Sequence, residues 1–296
     1  MAVQNTTMGP GPSSYGGPSD KDTFVTNDVV TFMSYNATGM DTVKCEFIRE
    51  MQKEYNVNYC AIQEHFKTVK STEQYFSQQF KDTHTYATLA YRLPGVESGR
   101  GRGGLVQLAE RGLEVSRARV TAGSPRIQAQ ILKFPSCKIL WINTYFPCDP
   151  QKQNFDTTEL VQTLAFIEAI VTAAGDCEVV WAGDLNYDTR RENLFTRTVT
   201  TALRRLGLVS VWEDRPIDYT HTHTDGVSRS VIDHFVVSPR LLSLVEDCGP
   251  IHRGDNLSRH SPILLSLRLG ELSRRQAAAK PPPPRMRLGA GPPRRS

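Results

Sequence analysis

Four short apolar runs, each closed by a polar residue, constrain this chain more than anything else in it. VVTFMSYN ends in Asn36, YCAIQE in Glu64, and ILWINTY in Tyr145; VVWAGDLN ends in Asp184 and Asn186. Runs this short, rich in β-branched and aromatic residues, read as buried strands. A carboxylate at the end of such a strand, with no helix to cap, is expensive unless a cation or a donor waits there. Asp184 and Asn186 stand at i and i+2, which in a strand turns both to one side. Gly183 lets another group come close to the backbone. Four strands that each deliver a polar group at the C-terminal end point to one site assembled by a sheet.

The segments between these runs supply helices and further strands. Residues 29–36 are the first expected strand. Asp41 then opens a helix with Val43, Phe47, Met51 and Tyr55 as its apolar stripe, and residues 58–64 form the second strand. This βαβ order places the two strands side by side. Residues 65–102 look like an aromatic loop. The sequence SGRGRGG follows, with Gly103 and Gly104 opening a strand. It reads as a flexible turn, with an RGG-type RNA box as the alternative. Residues 126–134 and 138–145 form an expected hairpin around Pro135-Ser136. Asp156, with Glu159 three residues on, resembles a capping box. The helix it would open buries Leu160, Leu164, Ile167 and Val171 and stops at Gly175. After the strand at 178–184 comes a helix over 192–206 with Phe195, Val199, Leu203 and Leu206 inward. Residues 220–230 are a polar loop. Residues 231–237 and 262–269 are the last strands.

Composition bounds the answer. The chain has 296 residues, is 39% hydrophobic and 22% charged, and has no apolar run near the ~20 residues of a membrane span. The first residues lack the basic start and apolar stretch of a secretory signal, so none is expected. The six Cys, at 45, 60, 137, 148, 177 and 248, form no CxxC pair, which suits reduced, structural thiols inside a cell rather than a zinc site. Residues 1–24, rich in Gly, Pro and Ser, are expected to be disordered. After Glu271 every charged residue is positive, so residues 271–296 read as a disordered, basic, Pro-rich tail. That tail is a solubilising linker or a sequence-independent nucleic-acid arm. The folded domain is then 25–270, with slightly more acid than base, which suits a cation site.

The polar strand ends collect as Asn36, Glu64, Tyr145, Asp184, Asn186, Asp233 and His260. Three carboxylates among neutral amides suit a hard, oxygen-liganded cation such as Mg²⁺. Asp233 beside His260 suits an oriented imidazole. These are the parts for attacking a phosphodiester. No Ser or Cys elbow and no GxxxxGK[ST] loop competes with them.

The motifs MSYN, IQE, NTYFP, GDLN, IDHF and SRHSP, in this order across residues 29–269, resemble those of the endonuclease/exonuclease/phosphatase superfamily. Within it the chain looks most like the apurinic-type endonuclease domain of non-LTR (LINE-type) retrotransposons. INTYFP, the GDLN pair and Thr220, 13 residues before Asp233, carry that likeness. The resemblance implies a four-layer α/β sandwich: two facing mixed β-sheets flanked by helices. It implies a metal-dependent endonuclease that nicks DNA, with Mg²⁺ or Mn²⁺ as cofactor. Glu64 would bind the metal and Asn36 would hold it in place. Asp184 would activate water, Asn186 and Tyr145 would position the phosphate, and Asp233 would orient His260. Thr220 and Ser258 would lie near the DNA backbone, and Arg259, read from its own chemistry, would point outward and clasp a neighbouring phosphate. Two positions depart from the family pattern: Thr38 and Arg259 stand where many members carry an acid.

The plainer readings remain beside these. His221 and His223 form a metal pair, a DNA-facing loop or a solvated loop. His65 is a supporting or surface group, and Trp141 and Trp181 are core. The competing functions are an abasic-site nuclease, an RNA 3′-exonuclease, a lipid or inositol phosphatase, and a decayed relative that binds without cutting. The expected setting is a monomer inside the cell, acting in the nucleus on DNA and off the membrane. Either a free-standing protein or part of a longer retroelement polyprotein fits the sequence.

Overall fold

The computed structural model describes residues 29–92, 100–112, 124–148, 157–214 and 221–271. The segments expected to be disordered, 1–24 and the tail beyond 271, lie outside them, as do Asp156 and Thr220. In chain order the first half holds β1 (Val30–Asn36), α1 (Thr42–Glu54), β2 (Tyr59–Gln63), α2 (Thr72–Gln79), β3 (Thr83–Thr88) and β4 (Leu105–Glu110). The second half opens with β5 (Ile127–Lys133), β6 (Lys138–Tyr145), α3 (Thr158–Ala174), β7 (Glu178–Asp184) and α4 (Leu194–Leu206). It continues with β8 (Val209–Ser210), α5 (Val211–Asp214), β9 (His223–Thr224), β10 (Arg229–Ser230) and β11 (Asp233–Val237). It closes with α6 (Pro239–Leu242), β12 (Val245–Pro250) and β13 (Ile263–Leu267).

Two mixed sheets result, ordered β12-β13-β1-β2-β4-β3 and β5-β6-β7-β11-β8, with the short β9–β10 ribbon beside them. Strand alternation explains the layering. Along β1, Val30 and Phe32 face the second sheet in a core shared with Trp141, Val180 and Phe235. Met33 and Tyr35 face the other way, onto Phe47, Ile48 and Met51 of α1 and Phe76 of α2. The outer face of the second sheet packs Ile142 and Trp181 beneath Leu164 and Ile167 of α3 and Val199 and Leu203 of α4. Three apolar layers between four layers of structure give the expected sandwich. Both Trp are core, as expected.

A buried amide network also joins the sheets. Gln63 donates to the Asn143 Oδ1 at 2.8 Å, and the Asn143 amide reaches the backbone carbonyls of Ile62 and Val106, each at 3.1 Å. Gln107 donates to the Trp141 carbonyl at 3.1 Å. The pairing of these amides, with only the Gln63 Oε1 lacking a partner among the described residues, admits one register between the sheets.

Several local expectations are corrected. Phe47 and Met51 are buried as expected, but Val43 is exposed; Cys45 and Ile48 complete the buried face of α1. The 65–102 region is not all loop but contains α2 and β3. β3 is an edge strand in which only Thr85 is buried, so it carries no period-two apolar signal. β12 was missed for the same reason. At α3 the N-cap is Thr157, without a side-chain bond, and Glu159 pairs with Arg126 at 2.6 Å instead of closing a capping box. At α4 the cap is Asn193, whose side chain accepts from the Thr196 N–H. The polar stretch 220–230 contains the β9–β10 ribbon.

Candidate active site

Strand direction puts the polar ends in one place. β1 runs parallel to β2 and β6 parallel to β7, so Asn36 and the residue after β2, Glu64, share a rim, as do Tyr145 and Asp184. β11 runs antiparallel to β7 with Asp233 opposite Asp184, so the start of β11 meets the end of β7. The two rims touch: the Asn36 amide nitrogen donates to the Asp184 Oδ2 at 2.9 Å across the sheets.

The tightest group is Asp184, Asp233 and His260, all buried, with ligand-type atoms within 4.8 Å of one another. The His260 Nδ1 lies 3.1 and 2.8 Å from the two Asp233 oxygens, and its Nε2 lies 3.9 Å from the Asp184 Oδ2. Burial opposes charge on His260, but the Asp233 carboxylate, and behind it Asp184 and Glu64, outweigh burial and raise its pKa to about 9. The imidazole is therefore a cation held between two carboxylates. The Asp184 carboxyl is pushed well above the usual range, first by burial and then by the charge of Asp233.

Asn186 does not reach the site by strand alternation. β7 stops at Asp184, and Asn186 lies beyond it with φ 50°. Its N–H caps the Asp184 Oδ1 at 3.0 Å, and its amide nitrogen donates to the Phe146 carbonyl at 3.0 Å. The close approach at Gly183 is to the neighbouring strand: a Cβ there would meet the Thr144 carbonyl oxygen at 2.0 Å, at φ +152°. Glu64 is half-buried in a left-handed conformation, φ 58°. Its charge and that of Asp184, after burial, push the Tyr145 hydroxyl far upward, so that phenol stays protonated.

Ser258 serves the frame of the site. Its Oγ donates to the Asn36 carbonyl at 2.8 Å and accepts from the His260 N–H at 3.2 Å. It also meets the Thr38 Oγ1 at 3.0 Å. Thr38 in turn donates its N–H to the Asn36 Oδ1 at 3.0 Å. A hydrogen-bonded Thr–Ser pair thus occupies the first departure from the family pattern. At the second, the Arg259 side chain is exposed and makes no ion pair among the described residues, while its carbonyl accepts from the Thr224 N–H.

Other residues escaped the sequence reading. Thr222 is fully buried, and its Oγ1 accepts the N–H groups of both Ile232 and Asp233 at 3.0 Å, pinning the start of β11. Trp212 donates to the Asp233 carbonyl at 2.9 Å. The alternation of Thr and His over 220–224 was the one available trace of an inward-facing Thr222. His221 stacks on His252 and His223 tilts against His260, each with ring centroids 4.6 Å apart, so the two do not pair with each other. His65 is structural: its Nδ1 accepts the Lys67 N–H and its Nε2 donates to the Thr88 carbonyl, and burial keeps it neutral.

The donor set fits a hard divalent cation. Glu64 and Asp184 are oxygen donors, no thiol belongs to the buried cluster, and a buried carboxylate pushed upward is the imbalance a cation relieves. A cation at this rim would face Glu64 and Asn36, because Asp233 already holds the His260 Nδ1 and a protonated imidazole is a poor ligand.

No family model matches the sequence, and no curated protein resembles it at a significant level. Solved structures do match in fold. An AP endonuclease, LMAP, from Leishmania major superposes with TM-score 0.63 at 16% identity, over 81% of this chain and 87% of that one. The endonuclease domain of TRAS1, a telomere-specific non-LTR retrotransposon, gives TM-score 0.60 at 14% identity over 82% and 99%. The 3′ phosphatase NExo from Neisseria, bound to product DNA hairpin, gives TM-score 0.60 at 14% identity over 80% and 99%. The chain therefore has the endonuclease/exonuclease/phosphatase fold.

Proposed function

We propose that this chain is a divalent-cation-dependent phosphodiesterase that nicks DNA, as a retrotransposon endonuclease does. The observation that carries the proposal is the cross-sheet Asn36–Asp184 bond with the Asp233–His260 pair beside it. It joins a proton acceptor, a fixed imidazolium and a neighbouring carboxylate, Glu64, at one rim.

Glu64 and Asn36 would hold Mg²⁺ or Mn²⁺, which when bound polarises the phosphoryl oxygen and offsets the charge that develops on it. The chain's own groups do the rest. Asp184, made more basic by burial, takes the proton of the attacking water. His260, oriented through Nδ1 by Asp233, donates from Nε2 to a non-bridging oxygen. Tyr145 keeps its proton and donates to the same phosphate. Asn186 positions the attack from its place beside Asp184, and Thr220, Ser258 and Arg259 follow the DNA backbone. Such an enzyme would act in the nucleus, as a monomer or as the nuclease portion of a longer polyprotein. No helix among the described residues is long and apolar enough to cross a membrane.

A supercoiled-plasmid assay tests this. Nicking that requires Mg²⁺ and stops with EDTA supports it. Cleavage confined to abasic DNA or a 3′ phosphate supports the second reading, which the likeness to LMAP and NExo favours. Cleavage confined to RNA makes it an exonuclease of RNA. Binding without cutting makes it a decayed relative.

A further inference from the structure

The proposed chemistry leaves one sequence motif unused, the Arg-Gly stretch before β4. Its described part, 100–104, is neither a flexible turn nor an isolated box. Arg102 and Tyr91 exchange backbone hydrogen bonds at 3.0 and 2.8 Å. The carbonyls of Gly103 and Gly104 accept the N–H groups of Phe66 and His65 at 3.1 and 3.3 Å. A Cβ on Gly101 would lie 2.5 Å from the Thr68 methyl and 2.9 Å from the Phe66 carbonyl oxygen; one on Gly104 would lie 2.5 Å from the His65 ring. The glycines exist so that this ribbon can lie flat on the segment that follows Glu64.

The arginines between them stay exposed. Both line a cleft of about 600 Å³ whose walls also include Glu64, Tyr145, Phe66 and Tyr91. The Arg100 guanidinium lies 3.5 Å over the Phe66 ring. Neither Arg100 nor Arg102 has a carboxylate partner among the described residues. Arg126, also at the cleft, differs. Its donors are spent on Glu159, the Tyr145 carbonyl and the Tyr91 hydroxyl, so it sets the wall rather than offering charge. Two uncompensated guanidiniums, one backed by an aromatic ring, thus stand in a cleft that touches two residues of the candidate site.

A planar cation on a ring offers a stacking face to a nucleobase, and an unpaired guanidinium beside it offers a bidentate grip on phosphate. The volume lies in the range of small-ligand pockets. It is large enough for one nucleotide, and a base can lie on the Arg100 guanidinium only when it is not stacked in a duplex. We propose that this cleft is a subsite for one unpaired nucleotide flanking the scissile phosphodiester, with its base on Arg100 and its phosphate on Arg102. The enzyme would then prefer DNA that is single-stranded or frayed next to the cut. This rests on the phosphodiesterase reading for its orientation, but not for its test.

The test is binding without cleavage. Fluorescein-labelled ten-nucleotide single-stranded DNA, and the same sequence as a blunt duplex, are titrated with the full chain in EDTA and read by anisotropy. Wild type should bind the single strand more tightly than the duplex. Arg100→Ala/Arg102→Ala should weaken the single-strand complex at least tenfold and flatten its log K against log salt slope by about 0.7, the one phosphate contact of Arg102. Arg100→Lys/Arg102→Lys should restore the slope without restoring the single-strand preference. Wild-type affinity in the alanine variant, or equal losses for single strand and duplex, overturns the subsite. Failure of the two proposals is distinguishable. A wild type that nicks no plasmid yet loses single-strand binding in the variant keeps the subsite and loses the nuclease. A wild type that nicks while the variant binds normally does the reverse.

Discussion

The two flanks of the site are built from the same element, a strand that ends in an acid, yet they balance charge in opposite ways. On one flank Asp184, Asp233 and His260 are buried and answer one another, two carboxylates around one imidazolium. On the other, Glu64 stands half-buried with a left-handed backbone at a cleft that it shares with Arg100 and Arg102, both exposed and without a carboxylate partner among the described residues. In the proposed reaction the closed flank would serve proton transfer and oxyanion stabilisation, where mobility is costly. The open flank has a carboxylate with room around it, where the proposed cation and substrate would enter.

The largest expected effect tests whether the flanks act as one unit. Glu64→Gln, Asp184→Asn and His260→Gln should each lower plasmid nicking 10²- to 10⁴-fold, in the range of a lost general base or metal ligand. The double variant Glu64→Gln/Asp184→Asn should fall little further than either single one, because groups that act together are not additive. Losses that multiply would mean two independent contributions and would break the comparison.

Next comes the backbone under the closed flank. Gly183→Ala should destabilise the protein by about 3 kcal/mol or more, because the clash is with the Thr144 backbone and the φ disfavours a side chain. Urea unfolding reads this directly. A change under about 1 kcal/mol would show that β6 and β7 separate more easily than their packing implies.

The pH dependence follows from His260. Its folded pKa, about 9, stands above the ordinary 6.5. The stability it contributes is therefore complete below pH 6.5 and is lost as pH rises through 9. The loss should be about 3 kcal/mol. Asp184, also raised, acts in the same direction, since its charged form is the disfavoured one. Denaturation between pH 6 and 10 should show this decline, and His260→Gln should flatten most of it. A wild type equally stable across that window would mean that the closed flank is not held by its imidazolium.

The smallest effect sharpens the contrast from the open side. Glu64→Gly should raise stability by about 0.5 to 1 kcal/mol, since glycine occupies φ 58° without the cost a side chain incurs. It should also abolish nicking. A carboxylate kept in a strained backbone is what a functional demand leaves behind, and an unstrained Glu64 would show up as a destabilised glycine variant.

How much of this was legible depended on burial. β1, β2, β6, β7 and β13 were found because their apolar residues line two packed faces and leave a continuous signal. β3 and β12 were not, because an edge strand with one buried residue in six carries none. Val43 was misplaced because a four-residue spacing on paper cannot say which side of α1 meets the sheet; packing against Tyr35 selects Phe47. The glycines before β4 signalled a turn, whereas their use is contact with His65 and Thr68, which lie more than thirty residues earlier in the sequence.

By itself the sequence determined which polar groups sit at the ends of which strands, because strand length and apolar alternation are local properties. It also determined, through the βαβ order of residues 29–64, that the ends carrying Asn36 and Glu64 point the same way. Only the tertiary structure decided which ends meet. Asn36 and Asp184 are 148 residues apart and touch because two sheets pack face to face. The same packing buried Asp184 and Asp233 together around His260, and left Glu64 at an open cleft. Charge balance depends on distance and on exclusion of water, and neither is a property of any segment alone.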